Sequence, residues 1–165
     1  MFLHLLRHAH AGDWSTWEGP DAARPLTDKG RAQSERLGRL LSDAGFVPEV
    51  IITSPKARAL ETAQIVGRAT GVSVVTDTRL AGPLDVTTTR AILTDHGATS
   101  TPLLVGHEPD LSGLLLELCG GPDIPVRKGT FVRIEAGDPL RSGGGILRWL
   151  VPPDLLKPAP RHEGD

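Results

Sequence analysis

Phe2 to Leu6 is a short apolar run containing one histidine, His4, and it ends abruptly at the polar cluster Arg7-His8-Ala9-His10-Ala11-Gly12. That pattern predicts a buried first strand. Thr27 opens a segment in which Leu37, Leu40, Leu41 and Ala44 recur at i, i+3, i+4 and i+7 before Gly45. The period predicts a helix of about four turns, capped by Thr27 and stopped by Gly45. Val50-Ile51-Ile52-Thr53 reads as a second strand, and Ser54-Pro55 fits a helix N-cap and first helical position, with Ala59, Ala63 and Val66 continuing one face. Val72 to Thr76 is a further β-branched strand, followed by a shorter helix from the Thr87-Thr88-Thr89 cluster to His96, stopped at Gly97. Leu103-Leu104-Val105 forms a fourth strand ending at Gly106-His107, and Leu111, Leu114, Leu115 and Leu118 mark a helix closed by Gly120-Gly121. Thr130 to Ala136 and Ile146 to Val151 are late strands joined by a turn at Gly143-Gly144-Gly145, a hairpin-like finish.

Strands alternating with helices imply a three-layer α/β/α sandwich around a mostly parallel, mixed sheet, because each crossover helix must cover one face of the sheet. The chain has 165 residues, which suits one domain, expected over 1–153. From Pro152 onward proline, charge and small residues dominate, so residues 154–165 are expected to form a flexible tail.

Composition narrows the function classes. A formal charge of −2 offers no basic field for nucleic acid. A single cysteine, Cys119, allows neither an internal disulfide nor a thiolate-rich zinc site, and beside a leucine stripe it reads as packing. No stretch approaches the about 18 apolar residues of a membrane span, and Met1 to Leu6 lacks the features of an export signal. The expectation is a soluble, cytoplasmic protein without nucleic-acid or membrane partners.

In open α/β sheets, ligands bind beyond the carboxyl ends of the strands. Arg7 and His8 follow the first predicted strand, Ser54 and Arg58 the second, and Gly106-His107 the fourth. Any one of them alone would read as a solvated loop residue; together they point to one pocket. Arg58 falls in a first helical turn, where a cation opposes the positive end of the helix dipole by about 0.3–1 kcal/mol unless an anion is held there. Phosphate fits, because arginine presents a permanently charged planar fork and helix N–H groups add donors. With Arg7 as a second clamp, a neutral imidazole nitrogen of His8 can attack phosphorus and form an N-phosphorylated intermediate. His107 then meets the charge on the equatorial oxygens, protonated or as a hydrogen-bond partner. This chemistry needs no metal or other cofactor. His10 is expected at the rim or pointing away, since its spacing from His8 along an extended chain does not aim both rings at one centre. Trp14 to Arg24 is a long loop with two tryptophans that can form a rim. His4 reads as a buried, hydrogen-bonded histidine and His96 as a helix C-terminal residue.

At Leu5-Leu6-Arg7-His8-Ala9, at Thr53-Ser54-Pro55-Lys56-Ala57-Arg58-Ala59-Leu60-Glu61-Thr62-Ala63 and at Val105-Gly106-His107-Glu108-Pro109, the sequence resembles the histidine phosphatase superfamily. Arg24-Pro25-Leu26-Thr27 and Leu147-Arg148-Trp149-Leu150-Val151-Pro152-Pro153 resemble its short phosphohistidine phosphatase branch. The resemblance implies a phosphoglycerate-mutase-like fold, His8 as phospho-acceptor, and Arg7, Arg58 and His107 as the substrate-binding phosphate pocket. Two departures stand out. Ala9 replaces the glycine usual after the histidine, and Gly82 stands where mutase-like members carry a glutamate that serves as proton donor. Asp85 and Glu108 are the candidate replacements, or else helix caps before the Thr cluster and before Pro109.

A missing acid favours a particular substrate. An alkoxide leaving group needs a proton, worth about 10²–10⁴ in rate. Phosphohistidine leaves as imidazole, whose second nitrogen can already carry the proton near neutral pH. Short loops without a capping insertion also suit a histidine presented on a protein surface. The expectation is therefore a metal-independent phosphatase acting through phospho-His8 on a phosphohistidine-bearing protein. The alternatives are a small-molecule phosphomonoesterase of the same superfamily, a non-catalytic phosphate-binding module, and a metal site at His8, His10 and His107.

Overall fold

The computed structural model describes residues 1–157. Its centre is strand β1 (Phe2–Arg7), in which Leu3, Leu5 and Leu6 have no exposed surface. Burying a leucine side chain contributes about 1.5–3 kcal/mol, so this strand anchors the core. Strands β2 (Ile51–Thr53), β3 (Val74–Thr76) and β4 (Leu103–Gly106) are parallel to it, in the order β3-β2-β4-β1. On the other side of β1 lie β5 (Phe131–Ala136), antiparallel to β1, and β6 (Gly145–Val151), antiparallel to β5. The hairpin after the glycine cluster is the one expected, and the sheet is mixed and mostly parallel.

Helices cover both faces. Helix α1 (Asp28–Asp43) and helix α2 (Ala57–Thr70) place Leu37, Leu41, Ala59, Ala63 and Val66 against Leu6, Ile51, Leu103, Val105 and Phe131. On the opposite face, α3 (Val86–Asp95) and α4 (Asp110–Cys119) pack Ile92, Leu111, Leu114 and Leu118 against Leu3, Leu5, Ile52, Leu104 and Val132. This is the three-layer α/β/α sandwich. Among the described residues no helix is long and apolar enough to cross a membrane.

Several local expectations differ. Ser54-Pro55 does not start α2. The Ser54 N–H donates to Val105 O at 3.0 Å, which prolongs sheet pairing, and the helix begins at Ala57 behind an extended Lys56. Leu40 is 41% exposed and Ala44 is the C-cap of α1, so neither belongs to the buried stripe. The buried face runs instead through Gly30, Gln33, Ser34, Leu37, Gly38 and Leu41, where small and polar residues permit close approach to other backbone. Gly30 is the sharpest case: a Cβ there would overlap the His10 carbonyl oxygen, and Thr27 N–H donates to that same oxygen at 3.0 Å. Helix α1 is thereby docked on the loop that leaves β1. Helix α3 starts one residue earlier than expected, with Asp85 as N-cap, and His96 is its C-cap. Pro153–Leu156 forms a 3-10 turn whose Leu156 packs against the α1/α2 core, so the start of the expected tail is seated on the domain. Residues 158–165 of that tail lie outside the described residues.

Candidate active site

Strands β1 and β4 are neighbours, with Arg7 opposite Gly106. The residues that follow them therefore emerge side by side. The His8 N–H continues the ladder to Gly106 O at 3.1 Å, and the His8 and His107 ring centroids lie 5.2 Å apart. Strand β2 delivers Ser54, and the first turn of α2 delivers Arg58, whose Nε–H donates to His8 Nε2 at 3.3 Å. The structure thus brings Arg7, His8, Arg58 and His107 to one cavity of about 240 Å³, together with Gly12, Trp14, Arg24, Glu108 and Lys128.

The hydrogen bonds assign the imidazole tautomers. His8 Nδ1 lies 2.8 Å from Ala9 O; a carbonyl only accepts, so Nδ1 carries the proton and Nε2 holds the lone pair. Burial, opposed by the Ala9 bond and reinforced by His107, Arg58 and Arg7, pushes the His8 pKa down to about 3. The ring is a neutral base with its free nitrogen beside a guanidinium. Its loop is held from behind, because Ala9 N–H donates to Thr62 Oγ1 at 3.1 Å and that hydroxyl donates to Arg58 O at 2.7 Å.

His107 is arranged in the opposite sense. Ser54 Oγ accepts from Lys56 N–H at 3.3 Å and lies 2.8 Å from His107 Nε2. With the hydroxyl proton directed at Nε2, Nδ1–H is a donor. Nδ1 is buried and without a partner among the described residues, as is Arg7 Nε. Burial, with Arg58 and Lys56, pushes the His107 pKa down to about 3, so the ring is in its neutral hydrogen-bonding form rather than the protonated one. Two orphaned buried donors in residues lining one cationic cavity are what a bound oxyanion would satisfy.

Three participating residues carried no flag in the sequence. Asp21 binds Arg58 twice, its carboxylate accepting from NH2 at 3.0 Å and its carbonyl from NH1 at 2.8 Å, and it also accepts from Arg24 Nε at 3.0 Å. Arg24 donates to Ala11 O at 2.7 Å and Lys128 to Gly12 O at 3.4 Å, so both follow the backbone that leaves His8. Burial, aided by Arg7 and Arg24, lowers the Lys128 pKa. The Trp14-to-Arg24 loop was the one available signal.

Other expected residues fall elsewhere. Asp85 is the N-cap of α3, accepting from Thr88 N–H at 2.7 Å, and does not line the cavity. That bond holds its carboxyl below the usual range, opposite to what a proton donor needs. Glu108 does line the cavity, with Oε1 accepting from Val126 N–H at 2.9 Å and Oε2 from Ser112 Oγ at 2.6 Å. His10 turns to Thr27 Oγ1 at 2.8 Å, so no His8, His10 and His107 ligand set forms. Among the described residues no group of three or more His, Cys, Asp or Glu is placed to hold a metal. His4 is fully buried against Pro102 O at 3.1 Å, between Phe46 and Phe131.

Residues 3–82 match the histidine phosphatase superfamily (branch 1). The chain is 28% identical over 164 residues to the phosphohistidine phosphatase SixA of Escherichia coli (strain K12), spanning 96% of this chain and 98% of that one. Its fold superposes on the protein histidine phosphatase SixA complexed with tungstate with a TM-score of 0.79 at 23% identity, covering 95% of this chain and 100% of that chain. It also superposes on the alpha-ribazole phosphatase from Shigella flexneri with a TM-score of 0.73 at 20% identity, covering 93% and 97%.

Proposed function

The chain belongs to the histidine phosphatase superfamily, and from that premise we propose that it hydrolyses phosphohistidine through a phospho-His8 intermediate, without a metal. The observation that carries the reading is the pairing of a neutral, singly protonated His8, its unprotonated Nε2 accepting only from Arg58 Nε–H, with a cavity walled by Arg7, Arg58 and His107. The tungstate held by SixA, a tetrahedral dianion, supports an oxyanion as occupant.

In this mechanism Arg7, Arg58 and His107 Nδ1–H hold the phosphoryl oxygens, and their charge spreads onto donors that need no reorganisation. The Nε2 lone pair forms a bond to phosphorus as the bond to the substrate ring nitrogen breaks, and that electron pair stays with the departing imidazole. A ring already protonated on its far nitrogen leaves neutral. Nδ1–H of His8 stays on Ala9 O, so the phosphorylated ring is an imidazolium balanced by the phosphoryl oxygens. Water then adds to phosphorus, the P–Nε2 pair returns to His8, and dihydrogen phosphate leaves with both water protons. No protein carboxyl has to protonate the first leaving group, in keeping with Gly82 at the position of the usual glutamate and with Asp85 outside the cavity.

A phosphomonoesterase reading has one observation in its favour: Glu108 lines the cavity and would be its acid. Brief exposure to a panel of labelled phosphohistidine, sugar phosphates and nucleotides separates the two. Acid-labile, base-stable label on His8, absent in His8→Ala, with the highest kcat/KM on phosphohistidine, is the expected result. Faster turnover of the esters, lost in Glu108→Gln, would replace it with the esterase reading. Stoichiometric anion binding without label or turnover would make the protein a phosphate-recognition module.

A further inference from the structure

The cavity that holds phosphate continues into a wider groove of about 630 Å³, and the two share Trp14 and Arg24. The phosphoryl group fills the first; whatever is bonded to phosphorus must emerge beside those residues. Trp14 is 75% exposed although it faces a functional cavity, an unusual use of a large apolar ring. It stands in the short 3-10 turn Trp14–Thr16, held by Asp13 accepting from Ser15 N–H at 2.9 Å. Trp17 also lines the groove and is fixed by its Nε1–H donating to Pro20 O at 3.1 Å. Two indole rings and the Asp21 carboxylate thus line the groove together.

We propose that this groove is the leaving-group subsite and that Trp14 stacks on the planar, nitrogen-protonated heterocycle attached to phosphorus. The assignment rests on the phosphohistidine reading and deepens it. The rest of the mouth is cationic, with Arg24, Arg58, Arg7 and Lys128 around the cavity, and these repel a protonated imidazole. An indole face attracts it through cation–π contact. The Asp21 carboxylate, although bonded to Arg24 and Arg58, retains acceptor capacity for its N–H. An alkyl leaving group gains from neither feature, so the groove selects the ring, with the Asp21 carboxylate set between its proton and Arg24 and Arg58.

Phosphohistidine and phosphoramidate share the same P–N bond, and only the first has a ring. In Trp14→Ala the ratio of their kcat/KM values is expected to fall about five- to tenfold, the scale of one lost aromatic contact, and Trp14→Phe should restore most of it. An unchanged ratio overturns the subsite. A second arm needs no turnover: phenylphosphonate and methylphosphonate are compared as ligands by calorimetry, and Trp14→Ala should narrow the preference for the phenyl compound at least twofold. If wild-type protein is inert towards phosphohistidine, the functional reading fails and the phosphonate pair still decides the groove; an unnarrowed phenyl preference in Trp14→Ala discards it. Orthovanadate binding by each variant confirms an intact phosphate cavity.

Discussion

Replacing Arg58 with Met tests the electrostatic core of the site. The guanidinium is 6% exposed and already bonded to Asp21 at 3.0 Å. A unit charge about 4 Å from another is worth about 4 kcal/mol at an effective dielectric of 20, and a dianion doubles the figure. Asp21 competes for the same group, so the difference, reduced by desolvation of the anion, is about 2–4 kcal/mol. Orthovanadate or tungstate affinity should therefore fall from about thirtyfold to several hundredfold. Arg58→Lys, which keeps the charge and loses the planar fork, should fall less, by about tenfold. A second readout moves independently. Arg58 is among the groups that hold His8 in its neutral form, so in Arg58→Met the His8 ring, followed by NMR, should titrate above its value of about 3. Calorimetry gives the affinity. Vanadate binding within twofold of wild type together with an unmoved His8 would refute the shared phosphate pocket.

Three further perturbations probe the frame around it. His4, whose pKa burial pushes down to about 4 from 6.5, is neutral when folded and charged when unfolded at intermediate pH. Its stability is thus complete above about 6.5 and is lost as pH falls towards 4, by about 3 kcal/mol. Urea denaturation at stepped pH should show that slope flattened in His4→Phe, in which Pro102 O keeps a backbone donor at 2.9 Å; an unflattened slope counts against it. Gly30→Ala forces a methyl group into His10 O and should lower stability by about 2–3 kcal/mol in the same assay. A loss under about 0.5 kcal/mol would show that the α1 docking is loose. Asp21→Asn keeps the shape but removes the charge that competes for Arg58, so tungstate should bind a few-fold tighter by calorimetry, and weaker binding would make Asp21 a support of the pocket rather than a competitor.

The sheet and the four central side chains were legible because the chain advertises them locally. Each parallel strand is a short apolar run that ends on polar residues, and the strand end is where an α/β site must lie. Helix starts were less readable. Ser54-Pro55 has the composition of an N-cap, yet Ser54 remains in the sheet and spends its hydroxyl on His107. The α1 stripe misled for a similar reason: its buried face is built around Gly30, Ser34 and Gly38, residues that a hydrophobic period ignores. Asp21, Arg24 and Lys128 could not be assigned at all. Lys128 belongs to the cavity because Gly129 N–H is bonded to the carbonyls of Arg7 and His8 at 3.1 Å each, a contact across the whole chain that no local pattern encodes.

The charges explain why both histidines must be neutral. Around the cavity Arg7, Arg24, Arg58 and Lys128 outnumber the carboxylates Asp21 and Glu108 by two, a charge excess that a dianion would balance. A protonated His8 would add to that excess and lose its nucleophilic lone pair; a protonated His107 would add to it without gaining a donor that Nδ1–H does not already supply. Burial beside guanidinium groups removes both protons. On the phosphohistidine reading, the proton required for departure is carried by the substrate ring, beside Trp14 and Asp21. That places the demand for specificity on the groove beside Trp14 rather than on an acid in the phosphate cavity.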